Sequence, residues 1–92
     1  MIKTFRHKGL KQLFETGSHR GVPPAMAGRL TLQLDALNSA EALTDMNLPG
    51  YHLHELQGER KGTWAITLRA NWRLTFTFAD GDVADVDFED YH

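Results

Sequence analysis

The chain has 92 residues, 41% of them hydrophobic, with a net charge of −2 and no cysteine. This length supports one modest core, so we expect a single domain over residues 1–92. The lack of cysteine excludes disulfides and thiolate chemistry, and no apolar run is long enough for a membrane span. We therefore expect a soluble, cytoplasmic protein without a membrane association.

The charges are unevenly distributed. Four of the ten basic residues lie within positions 1–11, and six of the twelve acidic residues lie within positions 80–90. A protein that holds nucleic acid through a broad electrostatic field is usually basic overall. Any binding of RNA or DNA by this chain would therefore depend on a local cluster of cations.

The first part of the chain predicts two amphipathic helices after a short opening strand over residues 1–6. The first helix covers residues 7–15, and Gly17 is placed to end it as a left-handed cap. The second begins at Pro23-Pro24, because the missing amide protons have no partner in a first helical turn. Its apolar stripe is expected in the core and consists of Met26, Leu30, Leu34 and Leu37.

The middle of the chain predicts a connector followed by a short strand. Residues 38–50 form the connector, which we expect to be held to the core by Leu43, Met46 and Leu48. Residues 51–56 form the strand. Because side chains alternate along a strand, a buried Tyr51 and Leu53 would place His52 and His54 together on the exposed face.

Residues 64–78 give the clearest β-hairpin signal. Large apolar side chains alternate strictly with small or polar ones on both sides of Ala70-Asn71, a pattern typical of strands with one buried face. This alternation places Arg69 and Arg73 together on the polar face. Asp80-Gly81 predicts a second hairpin turn. The last strand follows, with a buried face of Ala84, Val86 and Phe88.

These elements predict an α+β fold, with two N-terminal helices packed on one face of a small, mainly antiparallel sheet. The other sheet face stays open and collects two histidines, His52 and His54, and two arginines, Arg69 and Arg73. RNA cleavage without a metal needs a base, an acid and cations that stabilise the phosphate. Histidine and arginine are suited to these tasks.

Other interpretations of the same residues are open at this point. Arg69 and Arg73 would also be explained as surface residues paired with Asp85 or Asp87. The His52-x-His54 pair would suit a metal, but no third ligand stands at a fixed spacing, so we expect no metal and no cofactor. The tail over residues 90–92 would be frayed in many proteins.

Several motifs resemble the HigB-type toxins of the RelE/ParE superfamily, also described as plasmid-maintenance killer proteins. They are the opening residues 1–10, Leu53-His54, the run Leu56-Gln-Gly-Glu-Arg60, the hairpin with its Asn71-Trp72-Arg73 turn, and the terminal Glu89-Asp90-Tyr91-His92. The resemblance covers essentially the whole chain and implies the RelE-like microbial RNase fold.

The resemblance implies the toxin of a type II toxin–antitoxin system. Such a toxin enters the A site of the 30S subunit in the 70S ribosome and cleaves mRNA there as a metal-independent endoribonuclease. The resemblance also implies a HigA-like antitoxin with a helix-turn-helix domain. Operator DNA would be bound only through the complex with that antitoxin.

The resemblance also implies site residues. The active-site positions correspond to His54, Arg73, Asp90, Tyr91 and His92, and further contacts with RNA phosphates are expected from Arg60, Arg69 and Asn71. This chain has Gln57 where such toxins carry a lysine, which removes one cation from the expected cleft. Two rival hypotheses are a ParE-like toxin that poisons DNA gyrase, and a catalytically weak relative that acts through antitoxin binding and operon autoregulation.

Overall fold

The computed structural model describes residues 1–90, which form two helices and one antiparallel sheet. Both helices pack on the same face of the sheet and share one core with it, which confirms the predicted α+β class. The strands follow chain order across the sheet. The elements are α1 (Lys8–Thr16), α2 (Ala27–Ser39), β1 (His54–Glu55), β2 (Thr63–Arg69), β3 (Trp72–Ala79) and β4 (Asp82–Asp90).

Local signals set both ends of α1. The ring nitrogen Nδ1 of His7 accepts a hydrogen bond from the Leu10 amide at 3.2 Å, which satisfies one of the donors that a first helical turn leaves unpaired. At the other end, Gly17 has a φ of 77° and donates its amide to the Leu13 carbonyl. This is the left-handed cap predicted from the sequence.

Helix α2 supplies the centre of the core. Its residues Leu30, Leu34 and Leu37 are fully buried, as the apolar stripe predicts. Met26 ends the 3-10 turn Pro24–Met26 that precedes the helix, and it is half-buried against the core. The two tryptophans of the hairpin pack against this core, and Trp72 stacks on Phe88 with ring centroids 4.4 Å apart.

The two predicted hairpins are both present. Ala70-Asn71 joins β2 to β3, and Asp80-Gly81 joins β3 to β4. Asp80 and Gly81 have φ values of 53° and 83°. Positive φ at both central residues is the geometry that a tight two-residue turn between twisted strands favours, and an Asp-Gly pair adopts it readily.

A β-bulge in β4 changes the predicted faces of that strand. Asp85 has a φ of 55° and lies where the register between β3 and β4 shifts. Because of this extra residue, Val83 and Val86 are both fully buried although they are three positions apart. The prediction that Ala84 shares the buried face with Val86 is therefore wrong, since Ala84 pairs with Thr77 on the other face.

Residues 1–6 run parallel to β4 at the edge of the sheet. They form two isolated bridges, Ile2 with Val83 and Phe5 with Val86, in place of the predicted continuous strand. The hydroxyl of Thr4 accepts a hydrogen bond from the Asp85 amide at 2.8 Å. The N-terminal segment therefore both covers the edge of β4 and stabilises its bulge.

The connector and first strand differ from prediction in three respects. Met46 is buried, but Leu48 is 41% exposed, so the predicted packing of Leu48 is wrong. The strand predicted over 51–56 contains only His54–Glu55. His52 lies outside it with a φ of 50°, so the period of two does not relate His52 to His54. No helix within residues 1–90 is long and apolar enough to cross a membrane.

Candidate active site

The sheet face opposite the helices carries two neighbouring rows of side chains. Cross-strand pairing forms the first row from His54, Ala65, Thr75 and Asp87. The second row consists of Thr67, Arg73 and Glu89. With strands about 4.8 Å apart and a rise of about 3.4 Å per residue, the backbones of His54 and Arg73 are roughly 12 Å apart. His54 and Arg73 therefore lie in adjacent rows on one face of the sheet.

His54 is exposed at the start of β1. Its Nδ1 lies 2.8 Å from the carbonyl oxygen of His52. A carbonyl oxygen only accepts, so Nδ1 must carry the proton of this bond. The neutral ring then has its lone pair on Nε2, which is the tautomer of a general base that acts through Nε2. His52, which supplies this carbonyl, has a left-handed backbone conformation.

Arg73 is half-buried on β3, and its guanidinium folds back towards the β2–β3 turn. Its Nη1 donates to the Ala70 carbonyl at 2.7 Å and to the Trp72 carbonyl at 3.1 Å. These bonds fix the guanidinium beside the turn that contains Asn71. Asn71 itself is exposed. The structure therefore brings two of the predicted RNA-contacting residues, Arg73 and Asn71, to one end of the sheet.

Arg69 does not follow the predicted alternation. A bulge lies between Thr67 and Arg69, so that Arg69 pairs with Trp72 while Thr67 pairs with Arg73. Arg69 and Arg73 therefore do not share a face as predicted, because a bulge resets the period of two. Arg69 remains exposed at the same end of the sheet as Arg73.

Helix α2 holds this bulge from the opposite face of the sheet. Nη1 of Arg29 donates to the Leu68 carbonyl at 2.9 Å, and Nε2 of Gln33 donates to the Thr67 carbonyl at 2.9 Å. Gln33 is only 2% exposed. The bulge leaves carbonyls without ladder partners, and these two side chains satisfy them.

An ion pair crosses the open face between the two rows. Arg60 ends the 3-10 turn Gly58–Arg60 that follows β1, and its two terminal nitrogens donate to the carboxylate of Glu89 at 2.7 and 2.5 Å. The hydroxyl of Thr75 donates to the same carboxylate at 2.6 Å. Thr75 is 1% exposed although it lies on the face away from the helices. The centre of this face is therefore covered, whereas His54 and Asn71 at its margins are exposed.

The environment of Glu89 favours its ionised form. The hydrogen bond from Arg60 lowers the pKa of the Glu89 carboxyl below its usual value, and the hydrogen bond from Thr75 and the charge of Arg60 act in the same direction. Partial burial opposes them. The net direction is downward because a bidentate arginine stabilises a carboxylate directly.

Strand β4 ends at Asp90, which the sequence predicts in the site. Asp90 is exposed and pairs with Trp72, whereas Glu89 pairs with Arg73. Directly opposed residues share a sheet face. Glu89 therefore lies on the face of Arg73, whereas Asp90 lies on the face of Trp72. The predicted site residues Tyr91 and His92 lie outside the described residues.

The contacts of the described residues bear on two alternative explanations, surface ion pairs for the arginines and a metal site at His52-x-His54. Asp85 lies 3.9 Å from Arg6, so one of the two acidic residues considered as partners for Arg69 or Arg73 has another arginine beside it. Within residues 1–90, no group of three histidine, cysteine, aspartate or glutamate side chains is arranged to hold a metal ion. The pair His52-x-His54 is therefore not completed by a third ligand in that part of the chain.

Glu89 and Thr75 were not predicted as members of the site from the sequence. No local pattern links Arg60 to a carboxylate 29 residues later. The only available signal was indirect. On a strict alternation, Glu89 lies on the polar face of β4, opposite Phe88, and a carboxylate there has a neighbouring strand on which to find a cation.

The chain matches one family model and is similar to two named toxins. Residues 3–92 match the family model described as a RelE-like toxin of the type II toxin–antitoxin system HigB. The chain is 49% identical over 92 residues to Endoribonuclease HigB of Proteus vulgaris, covering all of both chains. It is 32% identical over 83 residues to Toxin HigB-1 of Vibrio cholerae serotype O1, covering 88% of this chain and 87% of that protein.

A solved structure supports the fold. The crystal structure of YafQ from E. coli strain BL21(DE3) superposes with a TM-score of 0.64 at 17% identity, covering 98% of this chain and 91% of that one. At this identity the likeness concerns the fold alone. Together with the match to the family model over nearly the whole chain, it agrees with the arrangement of helices and sheet described above. The chain belongs to the HigB family of RelE-like toxins of type II toxin–antitoxin systems.

Proposed function

We propose that this toxin is an endoribonuclease that cleaves mRNA in the ribosomal A site and thereby stops translation. The observation that carries the proposal is the 49% identity, over the full length of both chains, to a protein named Endoribonuclease HigB. The HigB family match also argues against the gyrase-poisoning hypothesis. Because the substrate is mRNA on the ribosome, the toxin acts in the cytoplasm.

The reaction begins with attack of a ribose 2′-hydroxyl on the adjacent phosphorus, which forms a 2′-oxygen–phosphorus bond and breaks the bond to the 5′-oxygen of the next nucleotide. His54 acts as the general base. Its Nδ1 is hydrogen-bonded to the His52 carbonyl at 2.8 Å, so Nε2 is the atom that takes the hydroxyl proton. A positioned base of this kind contributes about 10² to 10⁴ in rate.

Arg73 stabilises the negative charge that grows on the phosphate oxygens. Its guanidinium is held beside the turn by two backbone carbonyls, so little reorganisation is needed when the charge develops. Arg60 contributes a second cation between the two rows, and Arg69 and Asn71 contact the RNA at the exposed end of the sheet. None of these cations can transfer a proton at neutral pH, since arginine stays charged.

The C-terminal residues complete the site in this proposal. His92 donates the proton to the leaving 5′-oxygen, since His54 is already assigned as the base. Asp90 orients an imidazole and Tyr91 positions the base or the phosphate. The resemblance of the terminal motif to HigB-type toxins supports these roles. The resemblance implies a lysine at the position of Gln57, so the cleft of this chain would have one cation fewer and we expect slower cleavage.

Membership of a type II family implies an antitoxin partner. We propose that this partner is HigA-like, that it carries a helix-turn-helix domain, and that operator DNA is bound only through the complex. The ribosome is the second partner. The toxin is slightly acidic overall, so its entry into the A site relies on the local cations of the open face more than on long-range attraction.

The test is cleavage of a defined mRNA on programmed ribosomes, with the same RNA free in solution as a comparison. We expect His54→Ala, His92→Ala and Arg73→Ala each to lower the single-turnover rate by about 10² or more. His19→Ala and Arg20→Ala are matched controls, because both residues are exposed in the loop between the helices. Wild-type rates in all three site variants would refute the site, and equal cleavage of free RNA would refute ribosome dependence.

A further inference from the structure

We propose that Glu89 and Thr75 are positioning residues for the cleavage reaction, and that they act by holding the guanidinium of Arg60 between the His54 row and the Arg73 row. This inference rests on the proposed function and concerns the same site. It assigns roles to two side chains that do not themselves touch the reacting atoms.

The first observation is the geometry of the ion pair. Both terminal nitrogens of Arg60 donate to Glu89, at 2.7 and 2.5 Å. Two parallel charge-assisted bonds fix the plane of the guanidinium as well as its distance. Arg60 comes from the loop that follows β1, and Glu89 comes from β4 at the other side of the sheet. The pair therefore joins the loop after His54 to the strand that leads into the C-terminal residues.

The second observation is how the carboxylate is anchored. Oε2 of Glu89, which accepts from Arg60, also accepts from the Thr75 hydroxyl at 2.6 Å. Thr75 is 1% exposed at the centre of the sheet, and the Glu89 side chain is 21% exposed. A hydroxyl on a central strand has little freedom, so it transfers the rigidity of the sheet to the carboxylate and then to Arg60.

The third observation is the position of the cluster relative to the two rows. Thr75 belongs to the row of His54, and Glu89 belongs to the row of Arg73. The Arg60 guanidinium is bonded to the carboxylate that links these rows. The phosphate that the proposed function assigns to His54 and Arg73 would lie over this same face of the sheet.

A carboxylate is an unfavourable neighbour for a phosphate, since two anions repel each other. The hydrogen bond from Arg60 lowers the pKa of Glu89, so its charge is present at neutral pH. The presence of the Glu89 carboxylate beside the expected phosphate is explained if Glu89 orients Arg60. Misplacement of a positioning group by about 1 Å lowers rates by up to roughly 10²-fold, so loss of this orientation is measurable in the chemical step.

The experiment measures single-turnover cleavage on programmed ribosomes, over a range of toxin concentrations, so that the maximal rate and the half-saturating concentration separate. We expect Glu89→Gln to lower the maximal rate by about 10-fold to 100-fold, with half-saturation within about threefold of wild type. Asp85→Asn is the matched control. It neutralises another β4 carboxylate near an arginine, and asparagine accepts its left-handed backbone.

A pair of Thr75 variants separates positioning from packing. Thr75→Val keeps the shape and removes the hydroxyl, whereas Thr75→Ser keeps the hydroxyl and removes a methyl group. We expect the valine variant to lose about 10-fold in maximal rate and the serine variant to stay near wild type. A role limited to packing would give the opposite order, because serine leaves the larger void in this buried position. Arg60→Lys should not retain the wild-type rate, since lysine lacks the bidentate fork.

Thermal unfolding of every variant identifies any that fail to fold. If Thr75→Val does not fold, the test uses Glu89→Gln and Thr75→Ser. Wild-type maximal rates in Glu89→Gln and Thr75→Val would overturn the positioning role. A lowered rate in His54→Ala would then still support the proposed function. A Glu89→Gln variant that changes only half-saturation would also overturn it. Wild-type rates in His54→Ala, His92→Ala and Arg73→Ala would instead refute the proposed site itself.

Discussion

At the scale of single residues, the protonation of Glu89 couples the site to stability. Its pKa is lowered from the usual 4.5, first by the Arg60 hydrogen bond and then by Thr75. A carboxyl whose pKa is lower in the folded state than in the unfolded state binds its proton less readily when folded. Its contribution to stability is therefore complete above the unfolded pKa and is lost as the pH falls through the folded pKa.

The lowered pKa of Glu89 predicts that the difference in stability between wild type and Glu89→Gln depends on pH. At pH 7 we expect the variant to be less stable by about 1 kcal/mol, the scale of a hydrogen bond to a partly exposed charge. The difference should begin to shrink below the usual pKa of 4.5 and should approach zero as the pH falls through the lower folded-state pKa, since the wild-type carboxyl then becomes protonated in the folded state as well. Urea unfolding at pH 7 and pH 3 measures both values. A gap that is the same at the two pH values would contradict the assigned linkage.

At the scale of elements, α1 is placed by a contact between two glycines. A Cβ on Gly9 would lie 2.3 Å from the carbonyl oxygen and 2.9 Å from the Cα of Gly21. Both are backbone atoms, which cannot rotate away as the end of a side chain can. The loop between the helices therefore depends on the absence of a side chain at this position in α1.

This contact predicts opposite effects for two helical glycines. Gly9→Ala should destabilise the fold by about 2 kcal/mol, because the overlap with the backbone exceeds the gain of about 1 kcal/mol in helix propensity. Gly28→Ala in α2 should stabilise it by about 0.5 kcal/mol or more, since no atom lies within 4 Å of its Cβ position. Chemical denaturation of the two variants provides the measurement. Equal effects would show that the helix–loop contact relaxes without cost.

At the scale of the whole molecule, stability comes from one core shared by the helices and the sheet. A chain of this length has a free energy of unfolding of roughly 5 to 14 kcal/mol. The core side chains of α2 and those of the hairpin are fully buried together, including Leu34 and Phe76. A single large cavity would therefore remove a substantial part of the total.

Two leucines of α2 test this dependence on one core. Leu34 is fully buried and Leu32, on the opposite side of the same helix, is 69% exposed. We expect Leu34→Ala to lower the free energy of unfolding by about 3 kcal/mol, through lost burial and an unfilled cavity. Leu32→Ala should change it by no more than about 0.5 kcal/mol. Similar losses in the two variants, measured by urea unfolding, would contradict the arrangement of α2 on the sheet.

The sequence by itself determined the features that depend on neighbouring residues. The left-handed cap at Gly17, the Asp80-Gly81 turn and the buried side of the central hairpin are set by local backbone preferences and by the alternation of side chains. These were enough to predict the α+β class. They also placed His54 on the exposed face of its strand.

Only the tertiary structure decided which polar side chains meet. The bulges before Arg69 and at Asp85 shift the alternation, and they are stabilised by Gln33 and Thr4, which lie more than 30 residues away in sequence. The pairing of Arg60 with Glu89 spans 29 residues. No local pattern encodes such contacts, because a bulge or an ion pair forms only when a distant element supplies its hydrogen-bond partner.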